Sequence, residues 1–367
     1  LDDPKAFVAA MRAIDARPPP RDPLLRDQLE LLEAQAMALE SRFAEALERA
    51  DLLARGASSA GIRLRAAALA VNVQAASRDF VGGQKRLAAL LDTVDTLPDS
   101  ADRRHVDLVA AVFYNQLAQS DLAIRHAQRA LDGDASPSER CTASVQVLEA
   151  RLARASDGLD NGDFERVETS CGEQGNTLPA RYADVLRARW WTANGEAARA
   201  ASYLESRMPA LLATGYAPLL AEAHAQFADS LQKVGRWEEA LAHTDAVLAA
   251  SAALPSGLPL LSARRTRYAI AVARGDDRAA LRELQAVLTA ERAYDEEVRH
   301  LLVAYEAGRR ESLARQQALA LVEQRNAQLA LDARASERTA ALASLLLLHL
   351  AAGLIALVGW TWHSRRL

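Results

Sequence analysis

A turn signal that recurs along most of the chain limits what it can fold into. A helical pattern ends in a small or polar turn, an aromatic or apolar residue follows, and an Ala-rich helical pattern begins. The clearest copy is Gly235-Arg236-Trp237-Glu238-Glu239-Ala240-Leu241. Ser41-Arg42-Phe43, Asn161-Gly162-Asp163-Phe164, Asn194-Gly195-Glu196-Ala197 and Arg274-Gly275-Asp276-Asp277 repeat it, and Arg78-Asp79-Phe80 and Ser120-Asp121-Leu122 are looser copies. The residue after each turn falls at positions 43, 80, 122, 164, 197, 237 and 277, in steps of 33 to 42 residues. Steps of this size mark stacked helical hairpins. Each hairpin has an apolar face that only its neighbour covers, so the units share one continuous core. Ala46, Ala200, Ala240 and Ala280, three residues past the turn, let the paired helices approach closely.

Composition supports an all-α chain. Half of the 367 residues are apolar and a quarter are charged, which excludes disorder. Glycine and proline sit mostly between helical patterns, and β-branched runs are scarce. The formal net charge of −4 provides no basic field, so nucleic acid is excluded as a partner.

The Gly-x-Trp-x-x-Ala-Leu segment at Gly235 resembles the turn and second helix of the tetratricopeptide (TPR) family. Pro98, Pro209 and Pro255 fall near unit ends, as prolines of that family do. The resemblance implies a TPR-like α-solenoid of about seven hairpins over residues 24–292. Residues 1–23 are expected to hold a short helix from Pro4 to Ala16, followed by the stiff Arg17-Pro18-Pro19-Pro20-Arg21-Asp22-Pro23 linker.

No turn signal interrupts the chain from about Ala290 onward. Residues 293–338 are expected to form a long helix running into a transmembrane helix at 339–363, with 364–367 beginning a cytoplasmic segment. Between Arg338 and Arg365 the only ionisable residues are His349 and His363, and Leu342–Trp362 is long enough to cross a bilayer. Arg365 and Arg366 after the span, with Trp360 and Trp362 at its end, place the C-terminus in the cytoplasm and the solenoid outside. Leu319, Val322, Asn326, Leu329, Ala333, Ser336 and Ala340 follow a heptad, and Asn326 at an a position would fix the register of a parallel homodimer. A single amphipathic helix packed as the solenoid's last element is the alternative.

The chain has no phosphate-binding Gly-rich loop, nucleophile elbow or metalloprotease helix, so no catalytic residue, cofactor or metal site is assigned. The seven histidines lack ligand spacing. His349 stands apart as an ionisable residue inside the span. The segment from Asp157 to Glu168 fits an EF-hand at Asn161, Gly162 and Glu168, but Leu159 stands where an oxygen ligand is needed, and a turn with Asp163 capping a helix is the better reading. Cys141 lies early in the first helix of its hairpin and Cys171 late in the antiparallel second, so a disulfide is geometrically open to them; two unpaired core thiols are the alternative. The groove lined by first helices is the expected binding surface, with Asn72, Asn115, Arg189 and Asp229 as candidates to face it.

The stretch Glu311–Arg338 (ESLARQQALALVEQRNAQLALDARASER) followed by the Leu-rich span, with VNVQAASRDFV at Val71–Val81 and the Tyr114-Asn115-Gln116-Leu117 helix, resembles the sensor region of bacterial TPR-containing GGDEF proteins, which are diguanylate cyclases. Histidine kinases with TPR sensors share this linker style. The resemblance implies a periplasmic sensor, anchored in the inner membrane by one span, that takes a peptide, a protein or a small ligand. It would signal to a cytoplasmic output domain that makes cyclic di-GMP. The GGDEF motif and its metal carboxylates are absent from these residues. A membrane-tethered scaffold without enzymatic output is the other reading.

Overall fold

The computed structural model describes residues 4–15, 20–94, 101–132, 134–154, 158–172, 178–250 and 257–364. Among them are fifteen helices and no strand: α1 (Pro4–Asp15), α2 (Pro23–Leu39), α3 (Phe43–Gly56), α4 (Ala60–Ala76), α5 (Phe80–Val94), α6 (Ala101–Gln116), α7 (Ser120–Leu131), α8 (Pro137–Ala153), α9 (Asn161–Gly172), α10 (Leu178–Ala193), α11 (Ala197–Thr214), α12 (Ala217–Lys233), α13 (Trp237–Ala250), α14 (Leu258–Ala273) and α15 (Asp277–Ser364). From α2 onward they pair into seven antiparallel hairpins. The first helices form one row, since α4, α6, α8, α10, α12 and α14 each pack on the next. The chain is a TPR-like α-solenoid.

Six of the seven hairpin turns share one backbone design. Ser41, Arg78, Ala118, Gly195, Gly235 and Gly275 adopt left-handed φ values of 62°, 66°, 53°, 84°, 82° and 69°. In each turn the following N–H returns to the carbonyl five residues back: Arg42 to Met37, Asp79 to Gln74, Gln119 to Tyr114, Glu196 to Trp191, Arg236 to Leu231 and Asp276 to Ala271, at 2.8–3.1 Å. The left-handed residue's own N–H bonds three residues back, as Gly235 does to Gln232 at 3.1 Å. This is the Schellman closure of a helix C-terminus. The second helix starts at once, capped at Asp79 by Gly82 N–H (3.0 Å) and at Asp276 by Ala279 N–H (2.9 Å).

Close packing follows from small residues early in the second helices. Ala46, Ala123, Ala200 and Ala240 have no exposed surface, and Gly83 holds the same place in α5. A Cβ on Gly83 would stand 2.6 Å from the Phe113 ring. Phe113, Phe80, Leu87 and Leu117 centre the core of the second and third hairpins; Leu204, Leu211, Leu219 and Leu231 centre that of the fifth and sixth. Burying one such side chain contributes about 1.5–3 kcal/mol.

The fourth hairpin is built differently. Phe164 takes the place of the small residue and packs on Trp190 with centroids 5.2 Å apart. Cys141 and Cys171 are joined by a disulfide at the hairpin's open end. The α8 start is held by a capping box: Ser136 Oγ accepts from Glu139 N–H at 3.3 Å, and Glu139 Oε2 accepts from Ser136 N–H at 2.7 Å. Asp163 accepts from Asp160 N–H and pairs with Arg151 and Arg166. Two guanidinium groups therefore occupy the carboxylate of the EF-hand-like segment; Asp157 lies outside the described residues.

Two local expectations change. Pro209 sits inside α11 rather than at a unit end. It is exposed, and lacking an N–H it gives no helical hydrogen bond to the Glu205 carbonyl. The long C-terminal helix begins at Asp277, because α15 is itself the second helix of the last hairpin. Pro98, Pro255 and the linker residues 17–19 lie outside the described residues.

By internal contacts the chain divides into residues Leu1–Gly308 and Arg309–Leu367. The described part of the second unit is helix alone, with its side chains exposed along the whole described length. Ala320–Thr361 is long and apolar enough to cross a membrane, with a mean hydropathy of 2.4 in its most apolar window and none of that window buried. His349 Nδ1 donates to the Leu345 carbonyl at 2.8 Å within the helix.

Candidate binding face of the inner helices

The row of first helices carries a series of polar side chains. On α6, Asn115 donates through Nδ2 to the Gln146 side-chain oxygen (2.8 Å) and backbone carbonyl (3.0 Å) on α8. One turn further along α8 is Glu149. On α10, Arg189 pairs with Glu222 of α12 at 3.3 Å. Next to that pair, the Thr192 and Ser230 hydroxyls share a bond at 2.9 Å, and Gln226 Nε2 donates to Thr192 Oγ1 at 3.0 Å. The row thus crosses α6, α8, α10 and α12.

Glu149 is the unusual member. It is half-buried, and among the described residues its carboxyl is influenced by Glu222 and Arg189 through charge. Burial pushes its carboxyl up to about 7; the Glu222 carboxylate adds to the rise and Arg189 opposes it. Burial also raises Glu222, against the charge and hydrogen bond of Arg189. Tyr182 and Tyr216 are held up by burial, with nearby negative charge adding to it. These groups keep some water contact yet are largely surrounded by protein, which disfavours their charged forms. The site offers two carboxylates against one guanidinium, flanked by two phenols. It suits a cationic group or a peptide backbone better than an anion.

The four candidates from the sequence fare unequally. Arg189 lies in the polar row. Asn115 lies there too, with its amide spent on bridging α6 to α8. Asp229 is half-buried and pairs along its own helix with Lys233 at 2.9 Å. Asn72 is half-buried on α4. Asn326 is exposed on α15 of the single chain. The sequence reading missed Glu149, Glu222, Tyr182, Tyr216 and Gln146. A charged residue among the buried Val145, Leu148 and Ala150 of α8 was the available signal for Glu149.

Two histidines without ligand spacing nevertheless meet: His224 and His243 Nδ1 lie 2.7 Å apart across α12 and α13. Burial depresses His243 to about 4, helped by His224, and burial lowers His224. They form a neutral hydrogen-bonded pair. Among the described residues no group of three or more His, Cys, Asp or Glu could hold a metal.

No family model matches the chain, and no curated protein matches it either. Solved structures do. The chain is similar to a Rap protein complexed with competence and sporulation factor, with a TM-score of 0.52 and 11% identity over 86% of this chain and 95% of that one. It is similar to NprR in complex with its cognate peptide NprX, with a TM-score of 0.52 and 11% identity over 74% of this chain and 82% of that one. At this identity the likeness concerns the fold, and the fold of this chain is a TPR-like helical repeat.

Proposed function

We propose that this chain is the sensor region of a membrane-anchored signalling protein, and that its inner helices bind a peptide or protein segment. A small ligand of similar chemistry is the variant reading. One observation carries the proposal: α15 is both the second helix of the last hairpin and the helix that bears the apolar segment. A ligand that changes the packing of the hairpins would therefore act on the element entering the membrane. The similar NprR structure is a complex with a peptide, which supports a peptide as ligand here. In this reading the solenoid is periplasmic, two copies pair along the Asn326 seam, and the shift in packing reaches a cytoplasmic output domain beyond Leu367, a GGDEF diguanylate cyclase or a histidine kinase. A membrane-tethered scaffold is the second reading, and the coding sequence after Leu367 separates the two.

The binding test uses the full chain in detergent and a pool of synthetic peptides, with retained peptides identified by mass spectrometry. Basic peptides should be retained by the native chain and lost from Glu149→Gln and Glu222→Gln. Equal retention by all three would remove the inner face from the proposal. Retention should weaken as pH falls below about 7, where Glu149 becomes neutral. Stability has its own sign. Glu149 titrates higher in the folded chain, so its contribution is fully present below 4.5 and is lost as pH rises through about 7. Glu149→Gln should flatten that part of the profile. Signalling is tested by deleting Glu291–Arg334: a fused cytoplasmic reporter that still responds normally would defeat the transmission step.

A further inference from the structure

Both ends of the repeat row fold back onto hairpins far away in sequence. In α1, Lys5 Nζ donates to the Leu212 carbonyl at 3.5 Å, and its aliphatic stem lies against Gly215, while Arg12 pairs with Glu40 at the first hairpin turn. At the other end, α15 reaches the second and third hairpins. Glu297 forms an ion pair with Arg78, the left-handed residue of the α4–α5 turn. The same carboxylate accepts the Gly257 N–H at 3.0 Å, at the start of α14. Two turns further along α15, Tyr305 packs on the core around Phe113 and Tyr114. Tyr294, on the same side of the helix, interacts with Arg78.

We infer that residues 294–305 of α15 are a strap that closes the repeat row, with Glu297 as a clasp between the second and seventh hairpins. Three observations support this. A strained left-handed position is filled by arginine, although glycine serves at three of the six equivalent turns. The Arg78 guanidinium is also held over the Phe80 ring, 4.7 Å from its centroid, so it is aimed rather than free. The Glu297 carboxylate meets a backbone N–H on one side and a guanidinium on the other, a shared charge-assisted arrangement. The inference rests on the proposed role of α15 as transmitter. It adds that changing the curvature of the row requires opening this clasp, which displaces α15.

The test uses the full chain in detergent without ligand. Nitroxide labels are placed at Val81→Cys on α5 and Val272→Cys on α14, both exposed and outside the clasp, with the native cysteines locked in their disulfide. The native chain should give one narrow distance distribution. Arg78→Gly keeps or improves the turn and removes the clasp; it should broaden the distribution and shift it to longer distances. Glu297→Arg should do the same, and hydrogen exchange in the first turn of α14 should quicken by roughly tenfold to a hundredfold. Unchanged distributions in both single variants would overturn the clasp. These readouts need no ligand or reporter, so loss of the clasp and loss of the signalling reading would be seen separately.

Discussion

The turns of the first three hairpins and of the last three have the same geometry but are made of different residues. Ser41, Arg78 and Ala118 hold the left-handed position in one half, and Gly195, Gly235 and Gly275 hold it in the other. A Cβ there costs about 1–2 kcal/mol, yet the paired hydrogen bonds are the same in all six. The turn is therefore imposed by packing of the helices on either side, through small residues such as Ala46, Gly83 and Ala200, and glycine only removes a penalty. The fourth hairpin sharpens the contrast. It has Phe164 in place of the small residue and a covalent closure at the opposite end. A repeat of this kind is thus fixed either at its turn or at its open end.

The largest effect is expected where that alternative fixing is removed. Replacing both Cys141 and Cys171 by alanine frees a loop spanning 30 residues. Chain entropy then predicts a loss of about 3–4 kcal/mol in the stability of the central hairpins. Denaturant melts of the native and variant chains measure it, with hydrogen exchange in α8 and α9 locating it. A midpoint that does not move would mean that the fourth hairpin is held by its packing like the others.

The next effect comes from a close approach between the second hairpin and the third. Gly83→Ala sets a methyl 2.6 Å from the buried Phe113 ring. Overpacking of this kind costs about 1–3 kcal/mol. A thermal melt reads the loss, and near-ultraviolet dichroism reads the displaced aromatic cluster. An unaffected variant would show that helix separation in the first half is looser than the geometry implies.

How much of this was legible in the sequence depends on how local each cause is. The hairpin period could be read because turns at Gly195, Gly235 and Gly275 announce themselves by residue type, with Ala200 and Ala240 at a fixed offset. The equivalent roles of Arg78 and Ala118 carry no such mark, since the strain is imposed by neighbours. Of the inner face, Arg189 could be found by counting back from a turn. Glu149 shows in the sequence only as a charge among the buried Val145, Leu148 and Ala150; its carboxyl is raised first by burial, with Glu222, two inner helices away, adding to it. The Arg78–Glu297 contact left no trace in either local segment. The last hairpin has no C-terminal stop, so its second helix and the long helix are one pattern, and no turn signal past Asp277 separates them.

A cleaner probe of the glycine turns follows. Nothing lies within 4 Å of a Cβ built on Gly235, so Gly235→Ala meets no clash. The change is conformational alone and should cost about 1–2 kcal/mol. Gly195→Ala and Gly275→Ala share both features and should cost as much, each read as a lowered urea midpoint. A cost near zero would remove the distinction between the two halves.

The smallest effect is in the opposite direction and bears most directly on the comparison. Ala118 is exposed and left-handed, so Ala118→Gly relieves the Cβ penalty without emptying a core. Glycine returns part of the gain through the greater freedom of the unfolded chain. The net expectation is a stabilisation of about 0.5–1 kcal/mol, seen as a small rise in the urea midpoint. Ser41→Gly should behave alike. Arg78→Gly should gain less than either, because relief at the turn is offset by losing the partner of Glu297. Equal gains at all three positions would show that the arginine adds nothing beyond a strained turn. A deficit confined to position 78 would show that one strained residue was kept for what its side chain reaches.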